Sequence, residues 1–69
     1  MKTRLRSVTF DRRERPLRAL ILTPHGRVHV VWMDVAGDWC WFTAGTLDAR
    51  IAAVAPLRRL ERIISCTTS

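Results

Sequence analysis

The sequence predicts a mainly β protein in which about five short strands close into a small barrel. Three observations carry this prediction. Short runs of β-branched and aromatic residues recur along the chain, turn residues separate them, and the segment from Val28 to Thr43 forms a hairpin with two apolar faces. We favour closure because a closed sheet protects strand edges that an open meander leaves exposed.

The first part of the chain contains two expected strands and a charged loop. Arg4 to Phe10 alternates weakly and is the first strand. Its expected faces are Leu5, Ser7 and Thr9 on one side, and Arg4, Arg6, Val8 and Phe10 on the other. Asp11 to Pro16 is a charged loop, whose proline biases Arg15 toward an extended backbone. Leu17 to Thr23 is the second strand, and Pro24 to Arg27 is the turn that follows it.

The predicted hairpin contains all three tryptophans. Its strands, Val28 to Val35 and Trp39 to Thr43, flank the turn signal Ala36-Gly37-Asp38. With a two-residue loop, the two faces hold Val28, Val30, Trp32, Trp39 and Trp41, and Val31, Met33, Val35, Cys40 and Phe42, respectively. A three-residue loop exchanges the faces of the second strand. Because 69 residues can barely cover two apolar faces, we expect one face to be core and the other to bind a partner, a ligand or a second copy.

The C-terminal third fits two alternatives that predict different folds. In the first, Arg50 to Val54 and Glu61 to Cys66 are strands that complete the barrel. In the second, Thr46 caps a helix from Leu47 to Ala55, and Pro56 starts another helix. The residues that then share one apolar helical face are Leu57, Leu60, Ile63 and Ile64. This alternative is an α+β fold, an antiparallel meander plus a C-terminal helix, and we favour the barrel over it.

The stretch Val54-Ala55-Pro56-Leu57-Arg58-Arg59-Leu60-Glu61-Arg62-Ile63 resembles the end of an SH3-like barrel, in particular that of the plasmid-borne type II dihydrofolate reductases. Gly26-Arg27-Val28 and the tryptophan strand after it are similar to the middle of the same fold. Those reductases are tetramers around a central pore whose active surface carries a Val-Gln-Ile-Tyr motif. The corresponding positions here, 52–55, read Ala-Ala-Val-Ala. The resemblance therefore implies the barrel architecture and not the reductase activity.

Positive charge is concentrated near the N-terminus. The net charge is +6, and residues 1–18 contain seven basic and two acidic residues, a balance of +5. Eleven of the twelve basic residues are arginines, whose planar guanidinium favours forked contacts to phosphate or carboxylate. This balance indicates an acidic partner. We treat residues 1–69 as a single small domain in which 1–16 is a basic arm, or a first strand and loop, and a domain this small favours oligomerisation.

The sequence contains no catalytic or metal-binding pattern, so we expect neither an enzyme nor a cofactor. Its six acidic residues are scattered, without the arrangement of a general acid and base. His25 and His29 would lie about 13 Å apart along a strand, too far apart to share a zinc ion. Cys40 and Cys66 lack metal-ligand spacing and are expected to be structural thiols. The three glycines are isolated, which argues against a phosphate-binding loop.

Two binding functions remain. In the favoured one, the protein binds DNA or RNA, with arginines on phosphates and exposed tryptophans stacked on unpaired bases. The residues expected to bind are Arg4, Arg6, Arg12, Arg13, Arg15, Arg18, Trp32, Trp39 and Trp41. In the alternative, the apolar tryptophan face binds an acidic host protein, as phage or plasmid inhibitors and adaptors do. No apolar run is long enough for a membrane span or a signal segment, so we expect a cytoplasmic protein, with no membrane partner and with a capacity to form homo-oligomers.

Overall fold

The computed structural model describes residues 2–68, with side chains through Glu61. Four antiparallel strands form one open sheet in the order β1-β2-β3-β4, so each strand pairs with its neighbours in sequence. The strands are β1 (Arg4–Phe10), β2 (Pro16–Thr23), β3 (Gly26–Val35) and β4 (Asp38–Ala44), and they are followed by one helix, α1 (Leu47–Thr68). The mainly β class is confirmed, in the form of the meander plus C-terminal helix.

The two strands expected to complete a barrel are helical instead. Residues 50–54 and 61–66 lie within α1, and the sheet that the structure describes ends at β1 on one side and β4 on the other. The helix forms because the spacing of apolar residues suits it. Ala53, Leu57 and Leu60 share one helical face, whereas strand alternation would send Leu57 and Leu60 to opposite faces.

The β3-β4 hairpin has the two-residue loop. Val35 pairs with Asp38 and Trp32 pairs with Trp41, which leaves Ala36 and Gly37 as the two central residues. Both have positive φ, 53° and 89°, as a type I′ turn requires, and the Asp34 carboxylate accepts a hydrogen bond from the Gly37 N–H at 2.9 Å. All three tryptophans are thereby placed on the same face of the sheet.

The turn residue Ala36 suggests a stabilising substitution. A φ of 53° is sterically unfavourable for alanine. Asparagine is the residue type best suited to the first central position of a type I′ turn when glycine follows it. We expect Ala36→Asn to raise the free energy of unfolding by about 0.5–1 kcal/mol. Chemical denaturation followed by far-ultraviolet circular dichroism measures this change. Ala55→Asn, on the exposed surface of α1, is the control and should lower stability slightly, and an unchanged or lower midpoint for Ala36→Asn would contradict the turn assignment.

Strand β1 departs from simple alternation. Leu5 pairs with Ile21 and Ser7 pairs with Leu20, so the register shifts between Leu5 and Ser7. This bulge inserts one extra residue, and Leu5 and Val8 come to lie on the same face. The expectation that they face opposite sides is wrong for this reason, and Val8 packs against the core.

The start of α1 is held against the β2-β3 turn. The Thr46 hydroxyl accepts a hydrogen bond from the Ala49 N–H at 3.2 Å, the cap predicted in the helical alternative, and it donates to the His25 carbonyl oxygen at 3.3 Å. A Cβ atom at Gly45 would lie 2.9 Å from the carbonyl oxygen of Arg27, so only glycine lets the chain pass this close to β3. The helix then continues through Pro56, where a new helix was expected to start. Proline there removes one backbone hydrogen bond, and the apolar face continues on both sides of it.

The helix covers one face of the sheet, here called the inner face. Its buried contacts are Ala49, Ala53 and Leu57, and the buried sheet residues that they meet are Ala19, Ile21, Val28, Val30 and Trp32. Two alanines on the helix let the backbones approach closely, and Leu57 fills the remaining space at 1% exposure. The opposite face of the sheet, the outer face, is not covered by the helix. No helix in the described part of the chain combines the length and apolar character needed to cross a membrane.

Candidate nucleic-acid interface

The outer face gathers arginines from three strands. Leu22 of β2 lies between Arg4 of β1 and Arg27 of β3, because it pairs with both. Further along β2, Arg18 pairs with Val31 and lies on the same face. We call Arg4, Arg6, Arg18 and Arg27 the basic end, and all four are exposed. The outer face of β1, β2 and β3, within the described residues, carries no acidic side chain to neutralise them.

A depression lies between Arg6 and Arg27 of the basic end. It has a volume of about 480 Å³, and its lining residues are Arg6, Leu20, Leu22, Thr23, Gly26 and Arg27. The half-buried side chains of Leu20 and Leu22 supply an apolar floor between the two guanidinium groups. The turn beside it is well ordered, because the Thr23 hydroxyl donates to the Gly26 carbonyl oxygen at 2.9 Å and accepts from the His25 N–H at 3.0 Å. The depression can therefore hold an anionic group with an apolar portion.

The outer face of the β3-β4 hairpin is mainly apolar, with Asp38 beside the turn and His29 near the basic end. We call Val31, Met33, Val35, Cys40 and Phe42 the apolar half, and it corresponds to the second hairpin face expected from the sequence. Phe42 is 49% exposed and Met33 is 45% exposed, while the free thiol of Cys40 is half-buried. A patch of this kind is typical of a surface that binds something. Phe42 also offers an exposed aromatic ring on the outer face, two strands from Arg18, because Val31 pairs with both residues.

The three tryptophans lie on the inner face rather than beside these arginines. Trp32 is only 3% exposed and belongs to the core. Trp39 and Trp41 are half-buried, and they line a shallow depression of about 260 Å³ with Cys40 and Glu61. Trp32 therefore has no surface on which a base could stack.

Arg15 and Trp39 are engaged with each other. The Arg15 guanidinium lies over the Trp39 ring, 4.1 Å from its centroid, and the indole N–H donates to the Pro16 carbonyl oxygen at 2.9 Å. Asp11 holds this arginine in place, because its carboxylate accepts hydrogen bonds from the Arg15 backbone N–H and from Nε, both at 2.8 Å. These bonds, the backbone one first, hold the pKa of Asp11 below its ordinary value. The network fixes the β1-β2 loop.

The residues predicted from the sequence to bind a partner thus lie in different parts of the structure. Arg4, Arg6 and Arg18 lie on the outer face, whereas Arg12 and Arg13 are exposed in the β1-β2 loop at the opposite end of the sheet. Sequence reasoning missed Arg27 and His29, both exposed on the outer face of β3. The sequence did contain a signal for their position on this face, because Arg27 and His29 continue the same alternation as Val31 and Met33.

Comparison with protein-family models, with curated proteins and with solved structures finds no match for this chain. Within the residues that the structure describes, no group of three or more histidine, cysteine, aspartate or glutamate side chains could hold a metal ion. The geometry and charge of the outer face are therefore the features that indicate a function.

Proposed function

We propose that this protein binds single-stranded nucleic acid across the outer face of its sheet. The observation that supports the proposal is the basic end, where Arg6 and Arg27 flank an apolar floor and Arg4 and Arg18 lie exposed on the same face, with no acidic side chain on this face of β1, β2 and β3 in the described residues. In this arrangement Arg6 and Arg27 contact phosphates, and a base or sugar lies on Leu20 and Leu22. The strand continues toward Phe42, whose ring offers a stacking surface.

These four arginines are better suited to binding phosphate than to forming a buried ion pair. Each guanidinium presents several N–H donors in a planar fork, and its exposure means that binding needs little desolvation in advance. Four phosphate contacts to a single strand give a slope of log affinity against log salt of about −2.8. Binding by this surface is therefore expected to depend strongly on salt.

A single strand fits this face better than a duplex. Among the residues that the structure describes, no loop or helix lies on the outer face of the sheet to enter a groove, and the apolar floor is useful only to bases or sugars that are unpaired and accessible. Duplex DNA would meet the surface through its phosphates alone. We expect weaker binding to a duplex than to a single strand of the same length.

The test is a fluorescence-anisotropy titration with labelled single-stranded and duplex oligonucleotides at several salt concentrations. Arg6→Ala combined with Arg27→Ala is expected to weaken single-strand binding about tenfold or more and to reduce the salt slope by about 1.4. The matched control is Arg58→Ala combined with Arg59→Ala, which removes the same charge from the exposed surface of α1. The control should retain most of the affinity.

Two results would contradict the proposal. Equal losses in the two double variants would show that only net charge matters, and no saturable binding near physiological salt would remove nucleic acid as the partner. In the second case, an acidic host protein becomes the better candidate. The observation that favours it is the exposure of Met33 and Phe42, which could anchor such a partner while the basic end contacts its carboxylates.

A further inference from the structure

The two edges of the sheet differ in how they are protected. Strand β1 has two register shifts, and its exposed arginines Arg4 and Arg6 discourage pairing with another strand. Strand β4 runs from Asp38 to Ala44 in unbroken register with β3, without a bulge or proline, and its only charged residue is Asp38 at one end. An exposed edge that is regular and apolar is the form that accepts an added strand.

The hairpin turn determines which backbone groups of β4 face outward. In a two-residue hairpin the residues that flank the loop, Val35 and Asp38, form a hydrogen-bonded pair, and such pairs alternate along the strands. The N–H and C=O groups of Trp39, Trp41 and Thr43 therefore point away from β3. Within the described residues, no strand pairs with them. Three donors and three acceptors are available at this edge.

We propose that a second copy of the chain binds here, with its β4 antiparallel to the first and with Trp41 on the two-fold axis. This register aligns all seven residues of both strands and pairs every outward N–H and C=O group. The two four-stranded sheets become one continuous sheet with both helices on the same side. On the inner face Trp41 lies beside Trp41 of the second copy, and on the outer face Cys40 lies beside Phe42 of the second copy.

Charge placement favours a second copy as the occupant. Residues 1–18, which carry +5 of the net +6, form β1, the loop after it and the start of β2. Strand β1 is three strands away from β4, or about 14 Å across the sheet. Acidic side chains, Asp38 and Glu61, lie beside the β4 edge. Two strongly basic molecules therefore meet on the side away from residues 1–18 and keep their basic ends far apart.

The side chains of β4 are also complementary to themselves. Every residue between Trp39 and Ala44 is apolar or a threonine, so the antiparallel strands oppose no like charges. Pairing would bury part of the half-exposed indole of Trp41. The dimer does not depend on the proposed function, because the outer face with its basic end remains open in both copies.

Sedimentation velocity of the full chain over a series of concentrations tests this proposal. The wild type is expected to sediment as a dimer at tens of micromolar. Cys40→Lys combined with Phe42→Lys is expected to be monomeric, because the register sets the introduced lysines of the two copies opposite one another. The matched control, Val31→Lys combined with Met33→Lys, adds the same charge to the same face one strand further in, and it should remain dimeric.

Charge reversal makes the test specific to the register. Cys40→Glu combined with Phe42→Glu should also be monomeric, and an equimolar mixture of the lysine and glutamate variants should recover the dimer. Circular dichroism checks that each variant is folded. If the lysine variant fails to fold, Thr43→Pro replaces it, since proline removes one outward N–H and leaves the bonds to β3 intact.

Three outcomes would overturn the proposal. A monomeric wild type over the whole series excludes the dimer. Equal dissociation of both lysine variants indicates contact through the outer face rather than the β4 edge. A mixture of lysine and glutamate variants that stays monomeric excludes the register centred on Trp41.

Discussion

Replacing Leu57 with alanine is expected to lower the free energy of unfolding by about 2–5 kcal/mol. Leu57 is the largest helical side chain in the core and is 1% exposed, so its removal leaves a cavity between α1 and the sheet. A domain of 69 residues has a total stability of about 3–10 kcal/mol. The variant should therefore show a strongly reduced denaturation midpoint, or be unfolded at 25 °C, when measured by urea titration with circular dichroism.

Leu47→Ala is the matched control for this experiment. Leu47 lies in the same helix but is 64% exposed, so the same truncation removes little buried surface and should cost well under about 1 kcal/mol. Similar losses at both positions would mean that α1 does not pack on the sheet through the face described here.

The second large effect is expected at Trp32. Trp32→Ala should lower the free energy of unfolding by about 3–5 kcal/mol, since the indole is nearly fully buried among Val30, Ala19 and the helix. The measurement is again chemical denaturation, followed by circular dichroism. The neighbouring Met33→Ala on the outer face is the control and should be nearly neutral for stability, because Met33 is 45% exposed.

The same variant also distinguishes a structural role of Trp32 from a role in binding nucleic acid. If Trp32→Ala remained as stable as the wild type and lost affinity for a single strand, Trp32 would be a binding residue and the assignment of the inner face as core would fail. A loss of stability with unchanged affinity of the folded fraction is the expected result. A milder variant, Trp32→Phe, keeps the fold populated for the binding measurement and should retain wild-type affinity.

The two faces of the hairpin show which features the sequence could predict. Alternation alone placed the three tryptophans on one face and Val31, Met33 and Phe42 on the other, given the two-residue loop that the structure has. It could not say which face was core. That choice depends on where α1 docks, and the small residues Ala49 and Ala53 let the helix approach the tryptophan side.

For the arginines, too, the sequence predicted one part of the result and the tertiary structure decided the other. The N-terminal concentration of positive charge was evident from composition, but the basic end includes Arg27 from β3 and excludes Arg15, which lies over Trp39. Residues from separate strands meet only through register, and the bulge at Leu5 to Ser7 changes that register in β1. A pattern read along one strand cannot reveal such a shift.

The sequence by itself determined the four strands of the meander, the position of the turn between β3 and β4 and the basic character of the chain, because each depends on residues close together along the chain. It contained the Thr46 cap only within the helical alternative for the C-terminal third. The tertiary structure decided that the C-terminal third is one helix rather than strands of a barrel, and that the arginine-bearing face stays open. Both outcomes depend on which apolar faces meet across the core, and this is a property of distant residues that no local pattern contains.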